Sequence, residues 1–299
     1  MPAIELRGVS KRYGRQQALA AIDLRVECGE VFGFIGPNGA GKTTTIRLLL
    51  DLIRPSGGDV RVLGLDARRD GVEVRRRVGY LPGELALYED LTAAQLLGHL
   101  AALRGAGAAA IAPLAERLSL ELERPIRTLS KGNKQKVGLV QAFMHRPELL
   151  ILDEPTGGLD PLVQREFGRM LEEARERGQT VFLSSHVLSE VDRLADRVAL
   201  VREGRVALVD DVAALKARLT RRLELRFEQP PPAGAFERLP GVAGVEHAGA
   251  HVTLTLDGPA DAVVKEAARH RVLTLASREP DLDDLFLQLL DDSGGSDAR

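Results

Sequence analysis

The strongest chemical feature of the sequence is a glycine-rich segment that directly follows an apolar run. The segment GPNGAGKT, residues 36–43, comes immediately after the apolar run VFGFI. Glycines allow backbone N–H groups to close around phosphate oxygens, and a strand before the loop with a helix after it is the setting in which this pattern binds phosphate. Lys42 would reach the β- and γ-phosphates, and the Thr43 hydroxyl would ligate Mg²⁺. The segment therefore predicts a nucleotide phosphate site.

A second apolar run ends in two acidic residues. LLILDEP, residues 149–155, has the length of a buried strand and contains Asp153 and Glu154 at its end. An acid at the end of such a strand can emerge beside the phosphate loop and hold a magnesium ion, a role that fits Asp153. Glu154 could orient or deprotonate a water molecule that attacks the γ-phosphate. Taken alone, the pair is equally consistent with helix-capping or salt-bridging acids.

Lysines cluster at the predicted start of a helix in LSKGNKQKV, residues 129–137. They could form a nucleic-acid-binding patch or a solvated helix face, or they could simply neighbour other residues at the helix start that carry out the chemistry. The formal net charge of the chain is −2, with both signs interspersed. Because nucleic-acid binding needs a clustered basic surplus, we expect no nucleic-acid partner. We expect Lys134 and Lys136 on the helix flank in solvent.

The rest of the first two-thirds of the chain predicts the elements that position these residues. Hydrophobic residues make up 44% of the 299 residues and charged residues 28%, as in ordinary soluble globular proteins. Strand-length apolar runs alternate with helical segments up to residue 216, which indicates an α/β domain with a mostly parallel sheet. Helix formers dominate from Leu91 to about Arg124, where Thr92 is a candidate N-cap, and we expect a helical subdomain over about residues 91–145.

The pattern changes after residue 216. Short strands and helices alternate, which predicts a small α+β domain over residues 217–290, followed by a mobile tail at 291–299. The amphipathic segment DLDDLFLQLL, residues 281–290, is typical of core or dimer packing. We expect this domain to stabilise a homodimer or to regulate the rest of the chain.

Cysteine content and hydropathy bear on the cellular compartment. The single cysteine, Cys28, excludes an intramolecular disulfide framework and fits a reducing compartment, and we expect it to be a small buried apolar residue. The sequence lacks an apolar run of about 18 residues and its N-terminus lacks the apolar core of a secretory signal. We therefore expect a chain that is neither exported nor membrane-spanning.

Together, the motifs resemble those of the nucleotide-binding subunit of an ATP-binding cassette (ABC) transporter, over about residues 1–216. GPNGAGKTT resembles the phosphate loop of the family, LSKGNKQKV its signature sequence and LLILDEP its magnesium strand. GGLD, residues 157–160, resembles the loop that meets the partner subunit, and LSSH, residues 183–186, the segment of the switch histidine.

The resemblance implies a P-loop NTPase fold with ATP and Mg²⁺ as cofactors. Glu154 and His186 would be catalytic, and Thr43 and Asp153 would hold the metal. The nucleotide contacts that it implies are Tyr13, Gly36, Pro37, Asn38, Gly39, Ala40, Gly41, Lys42, Thr43, Thr44, Ser130, Gly132 and Asp160.

The resemblance also implies partners. Two copies would meet head to tail, so that Ser130 and Gly132 of one copy cap the γ-phosphate on the phosphate loop of the other. ATP would close this dimer and hydrolysis would open it. Separate transmembrane permease subunits would dock near the helical subdomain and the Gly83 loop, which implies a peripheral protein on the cytoplasmic face of the cell membrane.

The chain departs from the family pattern at two places. Lys131 and Asn133 replace a glycine and a glutamine of the signature, but Ser130 and Gly132 are retained, so we expect an active site. Gly83 stands where the family commonly has a glutamine that touches Mg²⁺ and the water. Glu84 next to it could substitute as an oxygen ligand or be a salt-bridging surface residue.

The signature variant, the YLPGE loop and the C-terminal domain resemble those of bacterial export ATPases, including the drug-resistance type. This favours export of a hydrophobic compound, such as an antibiotic or a lipid-like molecule. One alternative is the ATPase of an importer, which a neighbouring gene for a solute-binding protein would favour. A less favoured alternative is a soluble ABC ATPase acting on nucleic acid, which would need a long coiled-coil insertion, a second cassette or a basic surface.

Overall fold

The computed structural model describes residues 1–105, 108–218 and 221–278. The strands are β1 (Ile4–Tyr13), β2 (Gln16–Val26), β3 (Val31–Ile35), β4 (Gly57–Val62), β5 (Leu65–Asp66), β6 (Val78–Leu81), β7 (Leu149–Asp153), β8 (Thr180–Ser185), β9 (Arg197–Arg202), β10 (Arg205–Asp211), β11 (Arg221–Phe227), β12 (Val242–Ala248), β13 (His251–Leu256) and β14 (Val272–Arg278). The helices are α1 (Lys42–Leu49), α2 (Gly71–Arg77), α3 (Ala93–Leu103), α4 (Ile111–Arg117), α5 (Lys131–Phe143), α6 (Pro161–Glu176), α7 (Leu188–Leu194), α8 (Val212–Arg218) and α9 (Asp261–Ala267), with short 3₁₀ turns at Ala108–Ala110 and Ile126–Thr128. Of the helices in these ranges, none has the length and apolar character needed to cross a membrane.

The main sheet has the strand order β10-β9-β3-β8-β7-β6. All neighbouring strands in it are parallel except β9 and β10. Every residue of β3, β7 and β8 is buried, as expected for parallel strands covered on both faces. The predicted α/β fold with a mostly parallel sheet is confirmed.

A second sheet, which is antiparallel, packs into the same hydrophobic core as the main sheet. Its strand order is β2-β1-β4-β5. Aromatic side chains of the main sheet lie in the core between the sheets, and the ring centroids of Phe34 and Phe182 are 5.2 Å apart. Leu6 and Val60 of the antiparallel sheet belong to the same core cluster. This shared core fixes the strands whose ends carry the predicted motifs.

Helices α3, α4 and α5 occupy the stretch for which a helical subdomain was predicted. Thr92 caps α3 as predicted, in a capping box in which its side chain and that of Gln95 each accept a hydrogen bond from the other residue's backbone N–H. Arg117 at the end of α4 donates hydrogen bonds of 2.7 Å to Glu166 and of 2.7 and 2.9 Å to Glu173, both on α6. This double ion pair connects the helical stretch to the helix that follows the GGLD loop.

The chain separates into two compact units, Met1–Val212 and a second unit that begins at Ala213. The division falls in α8, whereas the sequence placed the boundary after residue 216. The second unit has an antiparallel sheet of order β12-β13-β11-β14, with a core that includes Leu225, Phe227 and Phe236. The predicted amphipathic segment 281–290 and tail 291–299 lie outside the described residues.

Two expectations about individual side chains are wrong. Cys28 is exposed, with its thiol sulfur 3.1 Å from the Met1 carbonyl oxygen, because it lies in the turn after β2 rather than in a strand. Lys136 is only 8% exposed, and its ammonium donates a 3.4 Å hydrogen bond to the Ser119 carbonyl. Its aliphatic stem is buried because α5 packs against α4 as well as against β6.

His145, just beyond α5, is held neutral by its surroundings. Its Nε2 atom lies 2.9 Å from the Arg104 guanidinium, which can only donate, so Nε2 accepts. Burial, as the larger cause, and the charge of Arg104 together lower the pKa of His145 to about 4. Because the pKa in the fold lies below the ordinary value of about 6.5, the neutral imidazole contributes stability fully above that pH, and this contribution is lost as the pH falls towards 4.

We expect His145→Gln to flatten the acid dependence of stability. Lowering the pH from about 7 to about 5 should reduce the urea midpoint of the parent chain more than that of the variant, because glutamine can accept from Arg104 without titrating. Urea unfolding of both chains, followed by circular dichroism, measures this difference. Parallel midpoint curves would contradict the assignment.

Candidate active site

The predicted motifs meet at one edge of the main sheet. Strand β3 leads into the glycine-rich loop, β8 ends just before His186, and β7 ends in Asp153. Strand β8 pairs with β3 on one side and with β7 on the other, and all three run parallel. Their carboxyl ends, where ligands bind in open α/β sheets, therefore lie side by side.

The glycine-rich loop turns sharply into α1 at Gly41. This residue has a φ of 109°, and a Cβ atom on it would lie 2.6 Å from Leu19 Cδ2 and 3.0 Å from the Ala18 carbonyl oxygen. Only glycine meets both requirements. Helix α1 begins at the next residue, so its unpaired N–H groups and its dipole favour an anion at the loop.

Lys42 is buried against the loop. Its ammonium donates hydrogen bonds of 2.7 and 3.3 Å to the carbonyl oxygens of Gly36 and Pro37, and it lies 3.4 Å from Glu154 Oε1. These partners supply partial or full negative charge to a cation that is 7% exposed. Phosphate oxygens have the same charge and acceptor character, so they could replace these partners.

Thr43 and Asp153 lie next to each other beside the glycine-rich loop and could both serve as oxygen ligands of a metal ion. The Thr43 hydroxyl donates a 2.9 Å hydrogen bond to Asp153 Oδ2, and Ser184 donates to Oδ1 of the same carboxylate, which is 1% exposed. A hydroxyl and a carboxylate are ligands that Mg²⁺ accepts, so these residues fit the predicted metal. Gly83 lies beside them, since a Cβ atom on it would be 3.3 Å from Asp153 Oδ2.

Glu154 contacts His186 across the strand ends. The Nδ1 atom of the histidine lies 2.6 Å from Glu154 Oε2. Glu154 has a φ of 50°, in the left-handed region, and its N–H donates a 3.1 Å hydrogen bond to the Ser184 carbonyl. A carboxylate oriented by an imidazole in this way can accept a proton from water.

A cleft of about 580 Å³ runs along the loop, with Lys42, Thr43, Thr44 and Glu154 in its lining. Tyr13 also lines it, is 46% exposed, and has the Lys11 ammonium 5.0 Å from its ring centroid. The sequence prediction missed the other lining residues Gln16, Gln17, Ala18, Glu203 and Gly204. Gln16, Gln17 and Ala18 begin β2, and Glu203 and Gly204 form the β9–β10 turn. The sequence indicates these elements, but it does not show that they lie close to the glycine-rich loop.

Four further predicted contacts of the glycine-rich loop also line this cleft: Pro37, Asn38, Gly39 and Gly41. The predicted contacts that do not line it are Gly36, Ala40, Ser130, Gly132 and Asp160. Ser130 caps α5, where its hydroxyl accepts a 3.3 Å hydrogen bond from the N–H of Asn133. Asp160 caps α6 by accepting bonds of 3.0 Å from Leu162 and Val163, and the bond from Val163 is the main cause that lowers its pKa. Within one chain, Ser130 and Asp160 thus stand apart from the phosphate loop.

This combination of sheet, loop and strand-end acids defines a P-loop nucleoside triphosphatase. The sequence profile of the family described as "ABC transporter" matches residues 19–157, which contain both the loop and the Asp153–Glu154 pair.

Relatives and a solved structure agree with that profile. Bacitracin transport ATP-binding protein BcrA of Bacillus licheniformis is 38% identical over 228 residues, which are 75% of this chain and 74% of that protein. Daunorubicin resistance ATP-binding protein DrrA3 of Streptomyces coeruleorubidus is 35% identical over 304 residues, 97% of this chain and 96% of the relative. A solved ATP-binding subunit of an ABC transporter matches with a TM-score of 0.67 at 32% identity, over 72% of this chain and 92% of that chain. The chain belongs to the ABC transporter family, as its ATP-hydrolysing subunit, which confirms the resemblance seen in the motifs.

Proposed function

We propose that this chain hydrolyses Mg-ATP to power the export of a hydrophobic compound through separate membrane subunits. The observation that carries the hydrolytic part is the contact of Glu154 with His186 beside the phosphate loop. Export of an antibiotic-like compound is supported by the relatives, one named for bacitracin transport and the other for daunorubicin resistance. The second of these matches nearly the whole chain, including the C-terminal unit.

The loop residues would bind the nucleotide by exchanging partners. Lys42 would leave the carbonyls of Gly36 and Pro37 for phosphate oxygens, and Tyr13 at the rim of the cleft would stack on the adenine. Thr43 and Asp153 would hold Mg²⁺, which neutralises phosphate charge when bound. The Thr43–Asp153 hydrogen bond already brings both oxygen ligands together.

Glu154 would then act on the attacking water. Its carboxylate would accept the proton that the water loses, and His186 would hold the carboxylate in place and contact the γ-phosphate. Because Lys42 lies 3.4 Å from the same carboxylate, movement of the lysine onto phosphate would free Glu154 Oε1 for the water.

Ser130 and Gly132 would act on a second copy of the chain. They lie at the exposed start of the 13-residue helix α5, where N–H groups of the first turn lack helical partners. Such a helix start attracts an anion, so the γ-phosphate bound by a second copy is a suitable ligand. Asp160 would then contribute by fixing the loop at the dimer interface rather than by touching the nucleotide.

The subunit would work at the cytoplasmic face of the membrane. We propose that the permease subunits dock near α3 and the Gly83 loop, and that the C-terminal unit stabilises the homodimer or regulates turnover. Because Gly83 lies beside Asp153, movement of the Gly83 loop on docking would shift the position of this metal ligand.

The proposal is tested with the chain assembled with its membrane permease subunits. We expect the purified complex in inverted vesicles to show Mg-dependent ATPase activity, and to accumulate a hydrophobic antibiotic only when ATP is supplied. EDTA should abolish both activities. A chain that neither binds nor hydrolyses Mg-ATP in this complex would overturn the ATPase function, whereas ATP-driven uptake that requires a solute-binding protein would overturn the direction.

A further inference from the structure

Gln135, in the second turn of α5, is buried against the backbone of Glu154 and Pro155, the first residues of the loop 154–158 that follows β7. It is 5% exposed, and its Nε2 atom donates hydrogen bonds of 3.2 Å to the Glu154 carbonyl and 3.1 Å to the Pro155 carbonyl. Both neighbours are acceptors, so only the NH₂ end of the amide can face them. The side-chain amide nitrogen therefore binds the carbonyls of two consecutive residues.

The backbone that Gln135 holds has an unusual conformation. Glu154 has a φ of 50°, which residues with a Cβ atom seldom adopt and which neighbouring contacts must maintain. On one side, the Glu154 N–H donates to the Ser184 carbonyl on β8. On the other side, Gln135 binds the Glu154 carbonyl. Because the backbone limits the directions that a side chain can take, these two contacts contribute to the direction of the Glu154 carboxylate, beside its own contacts with His186 and Lys42.

The same helix also touches the far end of this loop. A Cβ atom on Gly132 would lie 2.4 Å from the Gly158 carbonyl oxygen, so the helix backbone is in close contact with the loop there. Gln135 and Gly132 thus join α5 to both ends of the segment 154–158. A shift of α5 would be transmitted to the Glu154 backbone through the Gln135 amide.

We propose that Gln135 is a positioning residue for Glu154, and that its two donated hydrogen bonds keep the carboxylate aligned for the attacking water. The inference rests on the proposed role of Glu154 as the base. Ser130, the N-cap of α5, is proposed to meet the nucleotide of a second copy. Gln135 on the same helix therefore also connects that contact to hydrolysis in its own chain.

The test compares two variants of similar side-chain length. Gln135→Met keeps the volume but removes the donors, and we expect kcat to fall roughly 10- to 100-fold, as for a displaced catalytic group, while the Kd for ATP stays within about twofold. Gln179→Met is the matched control, because Gln179 is also buried, at 8% exposed, and also donates to a backbone carbonyl, that of Pro147. Gln179 directly precedes β8, at the end of that strand opposite His186. Gln179→Met should leave kcat within about twofold. Thermal unfolding of each variant shows that the protein is folded in the assay.

Gln135→Glu adds a second readout, the pH dependence of kcat relative to the parent chain, which a change in packing alone would not alter. A protonated glutamic acid retains one donor and the ionised form has none. The ratio of the variant's kcat to that of the parent should therefore fall as the pH rises from about 6 to about 9, while the ratio for Gln135→Met stays flat.

The outcomes separate this inference from the proposed function. Parent-like kcat for Gln135→Met, or a pH-independent ratio for Gln135→Glu, would overturn the positioning role and leave the ATPase function standing. An inactive parent chain in the complex with its membrane subunits would instead overturn the proposed function on which the inference rests.

Discussion

Glu154→Gln is expected to reduce ATP turnover by about 10²- to 10⁴-fold, the usual contribution of a general base, while ATP still binds. Glutamine has the same size and can still contact His186, but it cannot accept the proton of the attacking water. Its neutral amide also removes the carboxylate that lies 3.4 Å from the Lys42 ammonium, so affinity for ATP should be unchanged or higher. Steady-state phosphate release and equilibrium nucleotide binding measure the two effects separately.

The proposed dimer adds a second readout to this variant. If ATP closes two copies and hydrolysis opens them, a variant that binds but does not hydrolyse ATP should accumulate as a dimer in size-exclusion chromatography. Glu203→Gln is the control, since Glu203 lines the same cleft but is 81% exposed by its side chain and contacts Arg202 rather than the loop. It should turn over ATP within about twofold of the parent. Near-parent turnover by Glu154→Gln would refute the assignment of the base.

Gly132→Ala should lower ATP turnover about a hundredfold, because the added methyl group displaces the start of α5. The new Cβ atom would lie 2.4 Å from the Gly158 carbonyl oxygen, a backbone atom that cannot rotate away. This displacement would move Ser130, which is proposed to meet the γ-phosphate bound by the second copy. It would also move Gln135, which is proposed to position Glu154. Nucleotide binding by a single chain should be kept, because Gly132 does not line the cleft.

Gly98→Ala provides the matched control for that prediction. Gly98 lies in the middle of α3, and a Cβ atom on it would meet no other atom within 4 Å. The substitution should leave turnover unchanged and stabilise the helix by about 0.5–1 kcal/mol, since alanine is the better helix former. Measurement of kcat and the urea midpoint for both variants compares them directly. Undiminished turnover of Gly132→Ala would show that the helix start is free to move without loss.

Much of the fold was predictable because it is encoded locally. The apolar runs of β3 and β7, the turn residues of the glycine-rich loop and the Thr92 cap each act over a few neighbouring residues, so the sequence specifies them directly. The family resemblance needed only the order of such motifs. The burial of Lys136 was not predictable in this way. It depends on the packing of α5 against α4 and β6, which are separate segments of the chain, and not on the residues next to Lys136.

The sequence by itself determined which residues are able to bind phosphate, hold a metal ion and accept a proton. Only the tertiary structure decided which of them meet. Strand β8 lies between β3 and β7, and this order alone brings His186 to Glu154. The amide of Gln135 reaches the Glu154 carbonyl across 19 positions of chain. Such contacts follow from strand order and helix packing, which depend on the whole core, whereas residue type and periodicity are local properties that a sequence displays directly.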